Sequence, residues 1–269
     1  MTKKRILYVS QEITPYLPEN NLSKISRLLP QAMNESGIEV RLFMPKFGCI
    51  NERRHQLHEV IRLSGMNLIV NDIDQPLIIK VASIPQARMQ VYFIDNEEYF
   101  KRKFTTEDKK GKFYADNDER ALFFCRGVIE SVKKLGWSPD VIHCSGWMAS
   151  FLPMYLKKFY HDDTLFEKTK VVFSFFDHSF EGKLSAKLSE KLIFDGYSEQ
   201  EVSGFDNANA KKLSEAAISH SDAIIKGSAD LAPEILEMIN SSKLPTLEYS
   251  EGGYKENYKP FYESLFQAE

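Results

Sequence analysis

The segment from Arg5 to Met44 constrains this chain more than any other. Arg5 to Ser10 (RILYVS) is a compact apolar run with β-branched content and reads as a buried strand. After a loop holding Pro15 and Pro18, the residues Leu22, Ile25, Leu28, Leu29, Ala32 and Met33 recur at helical spacing until Gly37 ends the pattern. Ile38 to Met44 reads as a second strand. A strand–helix–strand opening predicts parallel strands joined by a right-handed crossover. Pro30 lies inside the helical stretch and predicts a kink or loosened hydrogen bonding there.

The second half repeats the alternation. Asn117 to Leu135 carries an apolar stripe of Ala121, Phe124, Val128, Val132 and Leu135. Asp116 is the expected N-cap, Glu119 its capping-box partner, and Gly136 the exit. A strand over Asp140–Cys144, a helix near Met148–Phe159 and a strand over Lys170–Phe176 follow. A helix over Ala208–Ser219, a strand over Asp222–Lys226 and a helix over Leu231–Ile239 complete the series. Between Leu57 and Asp95 the runs LHEVIRL, MNLIV, PLIIKVASI and MQVYFID read as strands with no helix between them, some antiparallel. The expected fold class is α/β, a Rossmann-like doubly wound and mostly parallel sheet. It is read as a single domain over residues 1–269, with a β-hairpin-rich insertion near 57–95 and a C-terminal helical tail near 255–269. In such a sheet ligands bind beyond the carboxyl ends of the strands, so the loops after Ser10, Cys144, Phe176 and Lys226 are where a site is expected.

Composition removes several function classes. A net charge of -3 gives no nucleic-acid footprint, and no apolar run reaches membrane-spanning length. The apolar start is too short for a signal peptide. Cys49, Cys125 and Cys144 are odd in number and far apart, which fits neither a disulfide framework nor a zinc site; a reducing cytoplasm is the expected location. No cofactor and no metal are expected.

Four blocks resemble bacterial glycogen and starch synthases, in the same order and at similar spacing. RILYVSQEITPYLP is similar to that family's ILYVSSEVAPF, and VYFIDNEEYFKR (91–102) to VYFIDNPEYFDR. YADNDERALFFCRG (114–127) resembles YPDNAERFAFFSRA, and LGWSPDVIHCSGWMASFLPMYLK (135–157) resembles LGWKPDVIHCHDWQTALVPAYLK. The resemblance implies a GT-B arrangement, in which two Rossmann-like domains face each other across a cleft and glucose passes from ADP-glucose to an α-1,4-glucan. The chain would correspond to the N-terminal, acceptor-side domain. Its 269 residues leave no length for a second domain of comparable size, so a truncated, stand-alone relative is expected.

Chemistry is lost at the positions matching the family's cleft. The family's Lys-Thr-Gly-Gly-Leu becomes Pro18, Glu19, Asn20, Asn21 and Leu22. A cation and a backbone donor go, an acid arrives, and asparagine side chains replace glycines that would let a diphosphate approach the backbone. The bland reading of this loop is a solvated turn capped at Asn21. His-Asp-Trp becomes Ser145, Gly146 and Trp147; Trp147 is either a sugar platform or a packing residue opening a helix. Thr-Ile-His-Asn becomes Ser174, Phe175, Phe176 and Asp177, with His178 adjacent as a conceivable acid–base partner. Glu181 stands where the family often has Gln. His143 matches a family histidine but reads as a hydrogen-bonded core residue.

No catalytic residue is therefore assigned, and Asn20, Asn21, Ser145, Trp147, Asp177 and His178 are the candidate substrate-binding residues. The resemblance and the losses together imply a protein of glycogen metabolism that binds α-glucan or maltooligosaccharide and is catalytically deficient alone. One alternative is a split or altered-specificity transferase whose donor domain is another chain; another is a folded remnant with no sugar role. The tail residues Tyr258, Phe261, Tyr262, Leu265 and Phe266 form one apolar helical face, expected either to cross back onto the domain or to serve self-association or another protein chain.

Overall fold

A computed structural model describes residues 3–177 and 179–267. The chain begins β1 (Arg5–Ser10), α1 (Asn21–Glu35), β2 (Glu39–Pro45), α2 (Glu52–His55), β3 (His58–Glu59), β4 (Met66–Val70), β5 (Ile73–Ile84), β6 (Met89–Asp95) and α3 (Glu97–Phe100). It continues α4 (Asn117–Leu135), β7 (Val141–Ser145), α5 (Phe151–Phe159), β8 (Lys170–Phe175), α6 (Leu188–Phe194), α7 (Ala210–Ser219), β9 (Ala223–Lys226), α8 (Pro233–Ser242), β10 (Thr246–Leu247) and α9 (Lys259–Gln267).

The strands lie in the order β10-β9-β8-β7-β1-β2-β6-β5-β3, with β4 paired to β5. From β10 to β6 all neighbours are parallel. The region 57–95 both extends the sheet and forms a hairpin, because β5 pairs antiparallel with β6 over one part of its length and with β4 over another. Asn71 and Asp72, at φ 51° and 59°, make the two-residue turn of that hairpin; both residue types tolerate left-handed backbone.

The order reverses at β1: β1 to β2 runs one way along the sheet, β6 to β7 and onward the other. Right-handed crossovers then place α1 on one face and α4, α5, α7 and α8 on the other. That leaves the strands beyond β1 bare on the α1 face, and the tail fills the gap. A turn of π-helix (Tyr254–Tyr258) packs on α1, and α9 packs on β7. Tyr258, Tyr262 and Leu265 are buried and Phe261 and Phe266 partly so. Most of the apolar face offered above for self-association is thus turned onto the chain's own fold, while Phe261 and Phe266 keep part of their surface exposed.

Two local expectations are corrected. The α1 cap is Asn20, one residue before Asn21: its Oδ1 accepts from Ser23 N (2.8 Å) while Ser23 Oγ accepts from Asn20 N (2.9 Å). Asp116 makes no side-chain cap; it grips Arg102 with both oxygens (2.6 and 2.5 Å), and Glu119 turns to Lys191 and Tyr99. Charge-assisted pairs outcompete backbone amides for these carboxylates. The helix α1 continues for five residues beyond Pro30, whose ring is buried on its core side.

His143 on β7 is fully enclosed. One ring nitrogen meets Tyr262 Oη of α9 and the other Ser174 Oγ of β8, each at 2.6 Å. Burial holds the imidazole down to about 3, so it is neutral with both nitrogens engaged. The tail is therefore fastened to the sheet by a buried polar contact as well as by apolar area. Tyr262→Phe is expected to cost about 1–3 kcal/mol by orphaning one ring nitrogen, measured by urea denaturation. Because the folded value lies below 6.5, the unfolded chain takes up the proton first; His143 then destabilises the fold progressively as pH falls from 6.5 towards 3.

Candidate functional site

The loops following β1, β7, β8 and β9 converge beyond the carboxyl ends of those strands, at the reversal point of the sheet. Gly146 makes the close approach possible. It sits at φ 86°, and a Cβ there would come within 2.7 Å of Gln11 Cβ. Gln11 is locked beneath it: its N–H donates to the Ser145 carbonyl (3.0 Å) and its Oε1 accepts from Met148 N (3.2 Å). Ser145 itself is buried at the end of β7, outside the linings of the two cavities here.

Asn20 and Asn21 are both engaged at the mouth of α1. Beyond capping, Asn20 Nδ2 donates to Glu12 Oε2 at 2.6 Å. Asn21 Nδ2 reaches Ser228 Oγ at 3.4 Å. Ser228, just past β9, then donates to Asp177 Oδ1 (2.9 Å) and accepts from Asp177 N (3.1 Å). Side-chain bonds thus stitch the loops after β1, β8 and β9 together. Ser228 and Glu12 had not been singled out from sequence; the only signal was their position within or beside loops that follow strand ends. His178 lies outside the described residues.

Trp147 is buried at 8% exposure, with ring centroids 4.8 Å from Phe180 and 5.7 Å from Phe113, which stack on each other at 5.0 Å. It anchors this aromatic cluster and is among the residues lining both cavities. Phe176 lines both cavities as well. It is half-buried, and its ring lies so close to Gly227 that a Cβ there would sit 2.6 Å from Phe176 Cε1.

Two adjoining cavities of about 110 and 150 Å³ share Leu22, Gly146, Trp147, Phe176 and Asp177. The larger adds Gln11, Glu12, Asn20 and Glu107 and, among the described residues, has neither Lys nor Arg in its lining. The smaller, between the starts of α7 and α8, has Lys211 and Glu234. The crevice therefore offers carboxylates, amides, hydroxyls and an aromatic ring, and little to balance a diphosphate. Among the described residues no three His, Cys, Asp or Glu side chains group as metal ligands, and no helix is long and apolar enough to cross a membrane.

A doubly wound parallel sheet with its crevice at the reversal point is the architecture of one lobe of a GT-B glycosyltransferase. Residues 5–247 match the family described as the starch synthase catalytic domain, and the chain belongs to that family. It is 36% identical over 235 residues to a glycogen synthase of Chlorobium luteolum, covering 86% of this chain and 47% of that protein. It is 37% identical over 190 residues to the glycogen synthase of Chlorobaculum tepidum, covering 70% and 39%. The chain thus spans about half the length of the curated relatives it matches. Among solved structures it resembles the catalytic domain of starch synthase IV from Arabidopsis thaliana bound to ADP and acarbose. The TM-score is 0.75 at 17% identity, over 93% of this chain and 52% of that one, which is a likeness of fold.

Proposed function

We propose that this chain is a glucan-binding member of the family that does not by itself transfer glucose from ADP-glucose, and that it serves glycogen metabolism as a binding or regulatory subunit. The observation that carries this reading is the chemistry of the larger cavity. Glu12, Glu107 and Asp177 border it with no lysine or arginine among the described residues of its lining, and Asn20 is held by Glu12 at the mouth of α1. A neutral glucan presents hydroxyls that donate to carboxylates and amides, and an apolar ring face that rests on an aromatic side chain such as Phe176. A diphosphate entering the same space meets like charge, and Pro18 and Glu19 stand where a lysine and backbone donors would be needed.

The second reading is a split transferase whose donor-binding domain is another chain. What favours it is family membership: residues 5–247 match the starch synthase catalytic domain. The two readings separate by calorimetry. Maltohexaose titrated into the pure chain is expected to give saturable heat, reduced about tenfold in affinity by Phe176→Ala, while ADP-glucose gives none up to millimolar concentration. Saturable ADP-glucose binding, or glucan elongation by the chain alone, would overturn the proposal.

A further inference from the structure

The segment from Lys101 to Lys112 carries six basic residues against two acidic ones in a chain whose net charge is -3. It is a constructed turn. Asp108 Oδ1 accepts from the backbone of Lys110 (2.7 Å) and Lys112 (3.0 Å), and Asp108 N donates to the Lys112 carbonyl at 2.9 Å. At its base Tyr114 N and Asn117 Nδ2 hold the Thr106 carbonyl (3.1 and 2.7 Å), and Arg102 is clamped by Asp116. The inner end, Phe113, is stacked on Phe180 beside Trp147.

This framework turns Lys101, Lys103, Lys109, Lys110 and Lys112 outward, all exposed. Lys103, Lys109, Lys110 and Lys112 make no ion pair among the described residues. In the same segment Phe104 is 45% exposed. Holding uncompensated lysines and a phenylalanine in water on a hydrogen-bonded turn has no benefit to the fold, and an exposed apolar side chain in a segment of exposed basic groups is the composition of a binding surface. Its charge calls for carboxylates. Its extent calls for a compact partner: Thr106 and Glu107, in the middle of the segment, border the crevice with Glu12 and Asp177, so the positive surface ends abruptly at an acidic rim. A nucleic acid needs a continuous basic track, and this rim interrupts one.

We propose that the turn 101–112 docks an acidic protein surface in which carboxylates surround an apolar side chain. The docked partner would sit at the edge of the crevice, touching the turn that contributes Glu107 to it. The proposal is independent of what the crevice binds.

The test uses the full chain and a labelled peptide of glutamates flanking a single leucine, followed by fluorescence anisotropy. Binding is expected, weakening as salt rises from 50 to 300 mM, as exposed charges are screened over about 10 Å. Replacing Lys103, Lys109, Lys110 and Lys112 by Gln together is expected to weaken it at least about tenfold. Phe104→Ser should weaken the leucine peptide while leaving an all-glutamate peptide unchanged, with the circular dichroism of every variant preserved. Equal affinity of the glutamine variant overturns the proposal. So does tighter binding of a 20-base-pair DNA or of phosphatidylserine vesicles through the same lysines. Dimerisation of the chain that the four substitutions abolish would likewise overturn it by making the occupant a second copy.

Discussion

Gly48→Ala is expected to destabilise the fold by at least about 3 kcal/mol, enough to lower Tm by roughly 6–12 °C for a chain of this size. Gly48 follows β2, where the chain turns under the segment after α3. A Cβ at this position would lie 2.3 Å from the Lys101 carbonyl oxygen, 2.4 Å from that of Arg102 and 2.5 Å from the Lys101 carbonyl carbon. All three are backbone atoms, so no side chain can swing aside; one segment must move. The Arg102–Asp116 clamp lies immediately beyond, and the start of α4 rests on it. Strain at Gly48 therefore passes to the turn 101–112 and to the Glu107 wall of the crevice. A thermal melt checks the stability. Limited proteolysis between Lys101 and Lys112 locates the damage: cleavage there should accelerate first. An unchanged Tm would mean that this close approach is slacker than its distances indicate.

Lys191→Met is expected to cost about 3–5 kcal/mol at neutral pH, the usual consequence of removing one partner from a buried charge cluster. The Lys191 side chain on α6 is 7% exposed and its Nζ bridges Asp118 (2.6 Å) and Glu119 (2.8 Å) at the start of α4. Asp118 is wholly buried, and its second oxygen has no partner. Burial pulls the lysine down, yet the hydrogen bonds it donates to both carboxylates carry it above its ordinary value. Burial lifts Asp118 above the ordinary aspartate value despite the lysine, because that one cation is shared with Glu119. An acid whose folded-state value is raised destabilises the fold above that value, and relief comes as pH falls towards its unfolded value near 3.9. The deficit of Lys191→Met should therefore be largest at pH 7 and shrink as pH is lowered towards 4. Parallel urea titrations of both proteins at several pH values check it. A deficit independent of pH would assign the loss to packing alone. The double variant Lys191→Met with Asp118→Asn should recover part of the stability, since the stranded charge is gone.

Neither residue in these two experiments was visible as important in the sequence. Gly48 sits in a loop of ordinary composition, and its neighbour in space is more than fifty residues away along the chain. Lys191 belongs to a seven-residue helix too short to show a period, between elements that do. The long elements were another matter. Asn117–Leu135 has the same bounds in the structure as in its apolar stripe, and Gly136 leaves it in left-handed backbone at φ 58°. Its cap was misread, since sequence offers Asp116 to the nearest amides while space offers it Arg102. His143 was read as a satisfied core residue and is one, but its partner Tyr262 was beyond inference at 119 residues' separation.

The crevice divides along the same line. That residues Pro18 to Asn21 bring neither a cation nor a glycine to their loop is a matter of residue identity, so it could be read directly. Which polar groups meet there was settled by convergence: Glu12 on Asn20, and Ser228 joining Asn21 to Asp177, come from three loops that meet only because the sheet reverses at β1. Trp147, a plausible sugar platform by type, packs against Phe113 and Phe180 and is buried, whereas Phe176 on the same cavities is half-buried. Periodicity of apolar residues is a local property, and it was enough to determine the long elements, their order and the doubly wound class. Pairings between distant side chains depend on how those elements pack. The tail's return to β7, the buried cluster on Lys191 and the lining of the crevice were therefore decided by tertiary structure alone.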